Sequence, residues 1–239
     1  MRYILLAALI ASGCSSMKSK KEKQQELIKP EVAMEITEGI LHPESVIYSA
    51  KHQMIFASNI TNGNPLEKKA VSYLSKISPD GKVIKSKWIT GLYAPKGLTV
   101  VGDDLYFTDV TRVVKVNITK GKIIKTYPVK AAKFLNDTTV DAEGNVYISD
   151  MFSDVIYKIT KDKLSVWIKD AKVAGSNGLF TDGKEHLLAM KWGTDVDEKT
   201  FITKTPGDVA IVSLKKPTEI TVVKELQGNL DGVGVDNKG

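Results

Sequence analysis

Five polar residues, Glu44, Lys96, Asn136, Asn177 and Asp231, occupy the same place in five similar stretches of the chain: "PESVIYSAKHQMIFAS", "PKGLTVVGDDLYFTD", "LNDTTVDAEGNVYISD", "SNGLFTDGKEHLLAM" and "LDGVGVDNKG". In each, the polar residue comes second, then a short strand and a turn. The five lie 52, 40, 41 and 54 residues apart. Four of them, Glu44, Asn136, Asn177 and Asp231, offer side-chain oxygens, two as carboxylates and two as amides. Such a set suits Ca²⁺, or Mg²⁺ if waters complete an octahedron, and two formal negative charges balance a divalent ion. No thiol lies near them in sequence and His42 comes two residues before Glu44, so a zinc site of nitrogen and sulfur ligands is disfavoured. Taken singly, Asn or Asp before a strand is ordinary Asx-turn chemistry. The same donor type at one repeat position in four of five repeats argues for a shared metal site. Lys96 fills the fifth position, where a cation can steady an anionic substrate or a developing oxyanion. Its plain alternative is a solvated, idle lysine.

The elements that must position these residues are strands. Apolar residues alternate with polar ones in "QMIFAS", "DLYFTD", "VVKVNI", "NVYISD", "VIYKIT" and "VAIVSL", separated by turns such as "SPDGK", "DAEGN" and "TDGKE". The pattern is all-β, with antiparallel hairpins in series. A period near 40 residues with several strands per unit is the signature of a β-propeller blade. The innermost strand of each blade starts at one end of the central tunnel, so residues just before those strands converge on the axis. That explains why Asn136-Asp137, a pair that strands disfavour, opens one. Asp109 and Asp150 end "YFTD" and "YISD" at equivalent repeat positions, which assigns them to hydrogen bonding within blades. Trp88, Trp167 and Trp192 lie in or near strands and are assigned to packing between blades. His42, His52 and His186 share no catalytic spacing, and Ser45 has no recognisable partner base.

Ahead of this body, "MRYILLAALIASGC" has one positive charge, an apolar run and small residues before Cys14, the only cysteine of 239 residues. This reads as a lipoprotein signal, residues 1–13, too short for a permanent span, with Cys14 acylated as the first mature residue. Residues 14–35 read as a flexible, lysine-rich tether, and 36–239 as the propeller domain. A single cysteine excludes internal disulfides, so stability outside the cytoplasm rests on packing. Removing residues 1–13 takes the net charge from +6 to +5, much of it in Lys18, Lys20, Lys21 and Lys23, which can also touch anionic lipid. There is no basic helix or aromatic-basic ribbon, so nucleic acid is not an expected partner. The expected location is the bacterial cell envelope, lipid-anchored and facing the periplasm or exterior. Ser15 favours the outer membrane if enterobacterial sorting rules hold.

These residues together resemble the gluconolactonase/regucalcin family, also called the senescence marker protein family. The family's metal-binding Glu matches Glu44 in "PES", its Asn-Asp motif matches Asn136, its Asn-Gly motif Asn177, and its Asp-Gly motif Asp231. The set also looks like that of the diisopropyl fluorophosphatase and paraoxonase propellers. The resemblance implies a six-bladed propeller with one divalent ion, most often Ca²⁺, on its axis. It implies hydrolysis of a lactone or related ester, with the ion polarising the carbonyl and Asp231 activating water or attacking directly. One position departs from the family: its gluconolactonases often carry Arg two residues before the Asn-Asp, where this chain has Phe134 with Lys133 one residue earlier, and this speaks against a sugar lactone. Residues 36–239 are expected to supply about four and a half of the six blades, since six need roughly 240 residues. A noncatalytic binding propeller, for a ligand or a protein, is the alternative reading.

Overall fold

The computed structural model describes residue 32, residues 34–61 and residues 63–234. The chain divides into two units, Met1–Glu35 and Ile36–Gly239. Cys14, the signal sequence and nearly all of the tether lie outside the described residues. No described helix is long and apolar enough to cross a membrane.

In the second unit the described residues form seventeen strands in four antiparallel sheets, with a single short 3₁₀ turn at Ala171–Val173. The first sheet is β1 (Pro43–Ser49), β2 (Met54–Asn59), β3 (Ser72–Ile77) and β4 (Val83–Leu92), paired in that order. The second repeats the plan with β5 (Pro95–Val101), β6 (Asp104–Asp109), β7 (Arg112–Asn117) and β8 (Lys122–Pro128). The third does so with β9 (Leu135–Val140), β10 (Val146–Asp150), β11 (Val155–Thr160) and β12 (Lys163–Lys169). The fourth runs β13 (Ser176–Thr181), β14 (His186–Lys191), β16 (Thr203–Ser213) and β17 (Ile220–Gly228), and adds β15 (Gly193–Val196) against the start of β16. The first strands of consecutive sheets are neighbours, β1 beside β5, β5 beside β9 and β9 beside β13. This is the arrangement of propeller blades about an axis, with β1, β5, β9 and β13 innermost.

Three apolar cores lie between the blades, and strand alternation builds them. On β6, Phe107 faces the first blade, packing with Phe56, Leu74 and Trp88, while Tyr106 faces the third, packing with Leu135 and Ile148. On β10, Ile148 points back to the second blade, and Tyr147 points on to the fourth with Leu179 and Leu187. Each central strand is thus apolar on both faces, so the alternation expected of "DLYFTD" and "NVYISD" gives way to unbroken apolar stretches, Leu105–Phe107 and Val146–Ile148. Trp88 stacks on Phe56 at 4.9 Å between ring centres and Trp167 meets Tyr147 edge-on at 4.5 Å, so both pack as the sequence implies.

A second repeated device ties each blade together at its inner end. Asp109 Oδ1 accepts from the backbone N–H of Tyr93 (2.9 Å) and Ala94 (2.8 Å). Asp150 accepts from Lys133 N (3.0 Å) and Phe134 N (2.7 Å), and Asn59 Oδ1 from Leu41 N (2.9 Å). These acceptors satisfy the chain entering each inner strand, where no ladder partner exists. The fourth blade has Lys191 at this place, its Nζ donating to Lys172 O at 3.1 Å and pairing with Asp208 at 2.6 Å.

Candidate functional site

The four inner strands begin in the same irregular way. The first residue of each pairs with the last residue of the second strand: Pro43 with Asn59, Pro95 with Asp109, Leu135 with Asp150, Ser176 with Lys191. The register then slips before it resumes at Val46, Leu98, Thr138 and Leu179. Glu44, Lys96, Asn136 and Asn177 all stand inside that slip. A β-bulge turns a side chain out of the sheet's alternation, and here it turns one residue per blade toward the axis. The polar residue two places into each repeat is therefore a consequence of backbone geometry.

The bulges are buttressed from the neighbouring blade. Thr108 Oγ1 donates to Asn136 O, and Ser149 Oγ donates to Asn177 O at 2.7 Å. In the second and fourth blades the residue after the polar one lies so close to the next blade's chain that size is restricted. A Cβ on Gly97 would lie 2.1 Å from Asp137 Oδ1, and one on Gly178 would lie 2.2 Å from Asp231 O. Glycine in the Lys-Gly and Asn-Gly pairs is thus required by close approach between blades.

All five residues singled out from the sequence line one cavity of about 380 Å³, within the range of small-molecule sites. Asn136 and Asn177 are buried, while Glu44 and Asp231 keep solvent-exposed surface. Asn177 Nδ2 donates to Leu230 O at 3.3 Å, and its buried Oδ1 has no hydrogen-bond partner among the described residues. Asn136 Nδ2 reaches Met151 Sδ at 3.5 Å. Lys96 is 1% exposed, which contradicts the solvated, idle lysine. Its Nζ donates to Ala94 O (3.0 Å) and Pro65 O (3.1 Å) and lies 4.3 Å from the centre of the Phe134 ring.

Acidic groups crowd this cavity and the recess beneath it. Desolvation pushes the Glu44 carboxyl up, opposed by the Lys96 cation and reinforced by Asp231 and Asp137. Burial pushes Asp231 up as well, against hydrogen bonds from Gly232 N and the Asn177 side chain. Burial drives the Lys96 ammonium down, while Glu44 and Asp109 pull it back. Asp137, on the same bulge as Asn136, is pushed up to about 6 by burial, although Leu179 N and Thr138 N each donate to it at 2.8 Å. Three carboxyls of raised proton affinity thus act on one another, and Glu44 alone among them is paired electrostatically with Lys96.

The residues present fit a hard cation. The converging groups are oxygens, one buried amide oxygen lacks a partner, and the carboxyls carry more charge than Lys96 offsets. Only two of the four candidate ligands are acids, and among the described residues no three His, Cys, Asp or Glu side chains gather as a metal site.

The sequence reading missed the cavity walls, which include Ile60, Phe134, Met151, Trp192 and Phe201. Trp192, assigned to packing between blades, lines the cavity instead, with Nε1 donating to Phe201 O at 2.9 Å. His42 is also a lining residue, its Nδ1 3.2 Å from Ile60 O. The sequence did hold a signal: the repeats starting at Glu44 and Asn177 are about a dozen residues longer than the other two complete ones. That extra length is the loop of residues 60–71 in the first blade and the β15–β16 hairpin in the fourth.

No family model matches the chain, and no curated protein is similar to it. Among solved structures it is similar to a luciferin-regenerating enzyme, at 14% identity and TM-score 0.56, covering 80% of this chain and 63% of that one. It is similar to a functionally unknown protein from Desulfotomaculum acetoxidans, at 12% identity and TM-score 0.55, covering 83% and 61%. It is also similar to the Kuenenia stuttgartiensis hydrazine synthase, at 16% identity and TM-score 0.54, covering 82% and 53%. The chain thus spans between 53% and 63% of the length of these three structures. The likeness establishes a propeller-type fold and reaches no family within it.

Proposed function

We propose that the cavity binds one divalent cation, most often Ca²⁺, and hydrolyses a lactone or related ester. The observation that carries this reading is the convergence of Glu44, Asn136, Asn177 and Asp231 on one cavity with Asn177 Oδ1 left unpartnered. Those four residues would hold the ion. When bound, it would supply Lewis-acid polarisation of the substrate carbonyl.

The chain's own groups supply the rest. Asp231 keeps solvent access and a raised proton affinity, so it accepts a proton from an attacking water whose oxygen bonds to the carbonyl carbon. The C–O bond of the ester then breaks, and the proton passes from Asp231 to the leaving alkoxide. Two of the three donors of Lys96 Nζ are engaged by carbonyls, so a third remains for a substrate oxygen. Cys14 would anchor the domain to an envelope membrane facing the periplasm or exterior. A panel of lactones assayed with and without Ca²⁺ tests the reading, and turnover that survives chelation overturns it.

A noncatalytic binding propeller is the second reading. Lys96 favours it, because two of its three donors are fixed on the backbone carbonyls of Ala94 and Pro65 and brace the cavity wall.

A further inference from the structure

Blades one and four depart from the four-stranded plan at the end where the cavity lies. The second and third strands of the middle blades are joined by two residues (110–111) and four residues (151–154). In the first blade the same connection is the loop 60–71, and in the fourth it is the hairpin of β15 and the start of β16, with its tip at 197–202. Loop and hairpin face each other across a groove of about 700 Å³ lined by Asn64, Pro65 and Leu66 on one side and by Glu198, Lys199 and Phe201 on the other, its charged groups at the hairpin tip. Phe201 borders both this groove and the cavity holding Glu44, Asn177 and Asp231.

Phe201 is built to stay there. Its φ of +57° is left-handed, a conformation that costs a bulky residue energy and persists only when its surroundings impose it. Its N–H donates to Asp197 O at 2.7 Å, and its carbonyl accepts from Trp192 Nε1 at 2.9 Å. Asp197 Oδ1 braces the tip through Lys199 N and Thr200 N, both at 2.9 Å. Asn229 Nδ2 holds the base of the hairpin through Trp192 O at 2.7 Å. The ring meets Phe134 and Phe152 at 5.9 and 5.8 Å between centres, forming an aromatic corner. Of the polar groups of the cavity, Glu44, Lys96, Asn136 and Asn177 stand on the bulges, whereas the residues that the long connections add to the cavity itself, Ile60, Gly63, Pro65, Trp192 and Phe201, carry no charged side chain.

We infer that the fourth-blade hairpin is a specificity element, with Phe201 and Trp192 selecting lactones or esters that carry an apolar alkyl or aryl substituent over polyhydroxylated ones. This rests on the hydrolase reading for the reacting group, and on the hairpin alone for the preference. A hydroxylated substituent placed against Ile60, Trp192 and Phe201 loses water without gaining partners, whereas an apolar one gains contact.

The test uses three lactones with one ring size, γ-decalactone, γ-butyrolactone and ribono-γ-lactone, and their lactams, which keep ring and carbonyl but resist hydrolysis. Lactam affinity is measured by calorimetry in Ca²⁺, and lactone turnover is measured separately. The alkyl lactam is expected to bind at least about tenfold tighter than the ribono-lactam. Phe201→Ala should erase most of that difference, while Phe201→Leu, which keeps an apolar wall, should retain it. Equal or tighter binding of the ribono-lactam by the unaltered protein overturns the inference whatever the variants do, as does an unchanged preference in Phe201→Ala. Tight alkyl-lactam binding with no lactone hydrolysed upholds the preference and overturns the hydrolase reading.

Discussion

Asp231 is the residue on which the proposed chemistry turns, because it is asked to be both ligand and base. Asp231→Asn keeps an oxygen but loses the charge and the proton acceptor, so lactone turnover should fall by roughly 10²–10⁴-fold while metal affinity only weakens. Rates measured at saturating Ca²⁺ check this, and full activity in the variant removes Asp231 from catalysis. Asn177→Ala removes a neutral ligand and should lower metal affinity with partial recovery of activity at high Ca²⁺. An affinity unchanged in that variant would contradict the role given to its unpartnered Oδ1. At this scale much was readable from the chain, since the bulge that opens each of the four inner strands recurs at one place per repeat, and the polar residue it aims at the axis recurs with it. Asp137 was not, for the positions matching it are Ser45, Gly97, Gly178 and Gly232, which share no chemistry that could mark a pattern. Only the fold reveals that Asp137 spans from the third blade to Leu179 N in the fourth.

Single elements carry loads that can be separated from the site. Asp150 accepts two backbone N–H groups at the entry to β9, so Asp150→Ala strands the buried Phe134 N–H and loosens the part-buried Lys133 N–H, and should cost about 1–3 kcal/mol of unfolding free energy. Asp150→Asn, with one acceptor oxygen left, should cost less, and urea midpoints distinguish the two. If both variants unfold like the parent, the latch contributes nothing to the blade. Gly178→Ala tests the inner strands differently. Its methyl would meet Asp231 O at 2.2 Å, so it should displace Asp231 and weaken metal binding, and a variant with parental affinity would contradict that close approach. The strand pattern made these elements visible because alternation and turns recur in every repeat. The β15–β16 hairpin was obscured because it interrupts the repeat: Trp192 just before it was assigned to packing between blades and Phe201 at its tip was not singled out, and only the fold sets both against the cavity.

For the whole molecule, the propeller could be read from a period near 40 residues, and blade-to-blade cores such as Phe107 of the second blade packed with Phe56 and Trp88 of the first are the physical reason that period exists. The proposed membrane attachment rests on Cys14, so Cys14→Ser should move the protein into the soluble fraction. Retention after a high-salt wash would contradict the lipoprotein reading. The central claim is that inner ends of separate blades jointly hold one divalent ion. Calorimetric titration of the protein with Ca²⁺ tests it most directly. The account predicts binding of one ion, lost in the double variant Glu44→Gln with Asp231→Asn, and no heat of binding, or binding undiminished in that double variant, would contradict it.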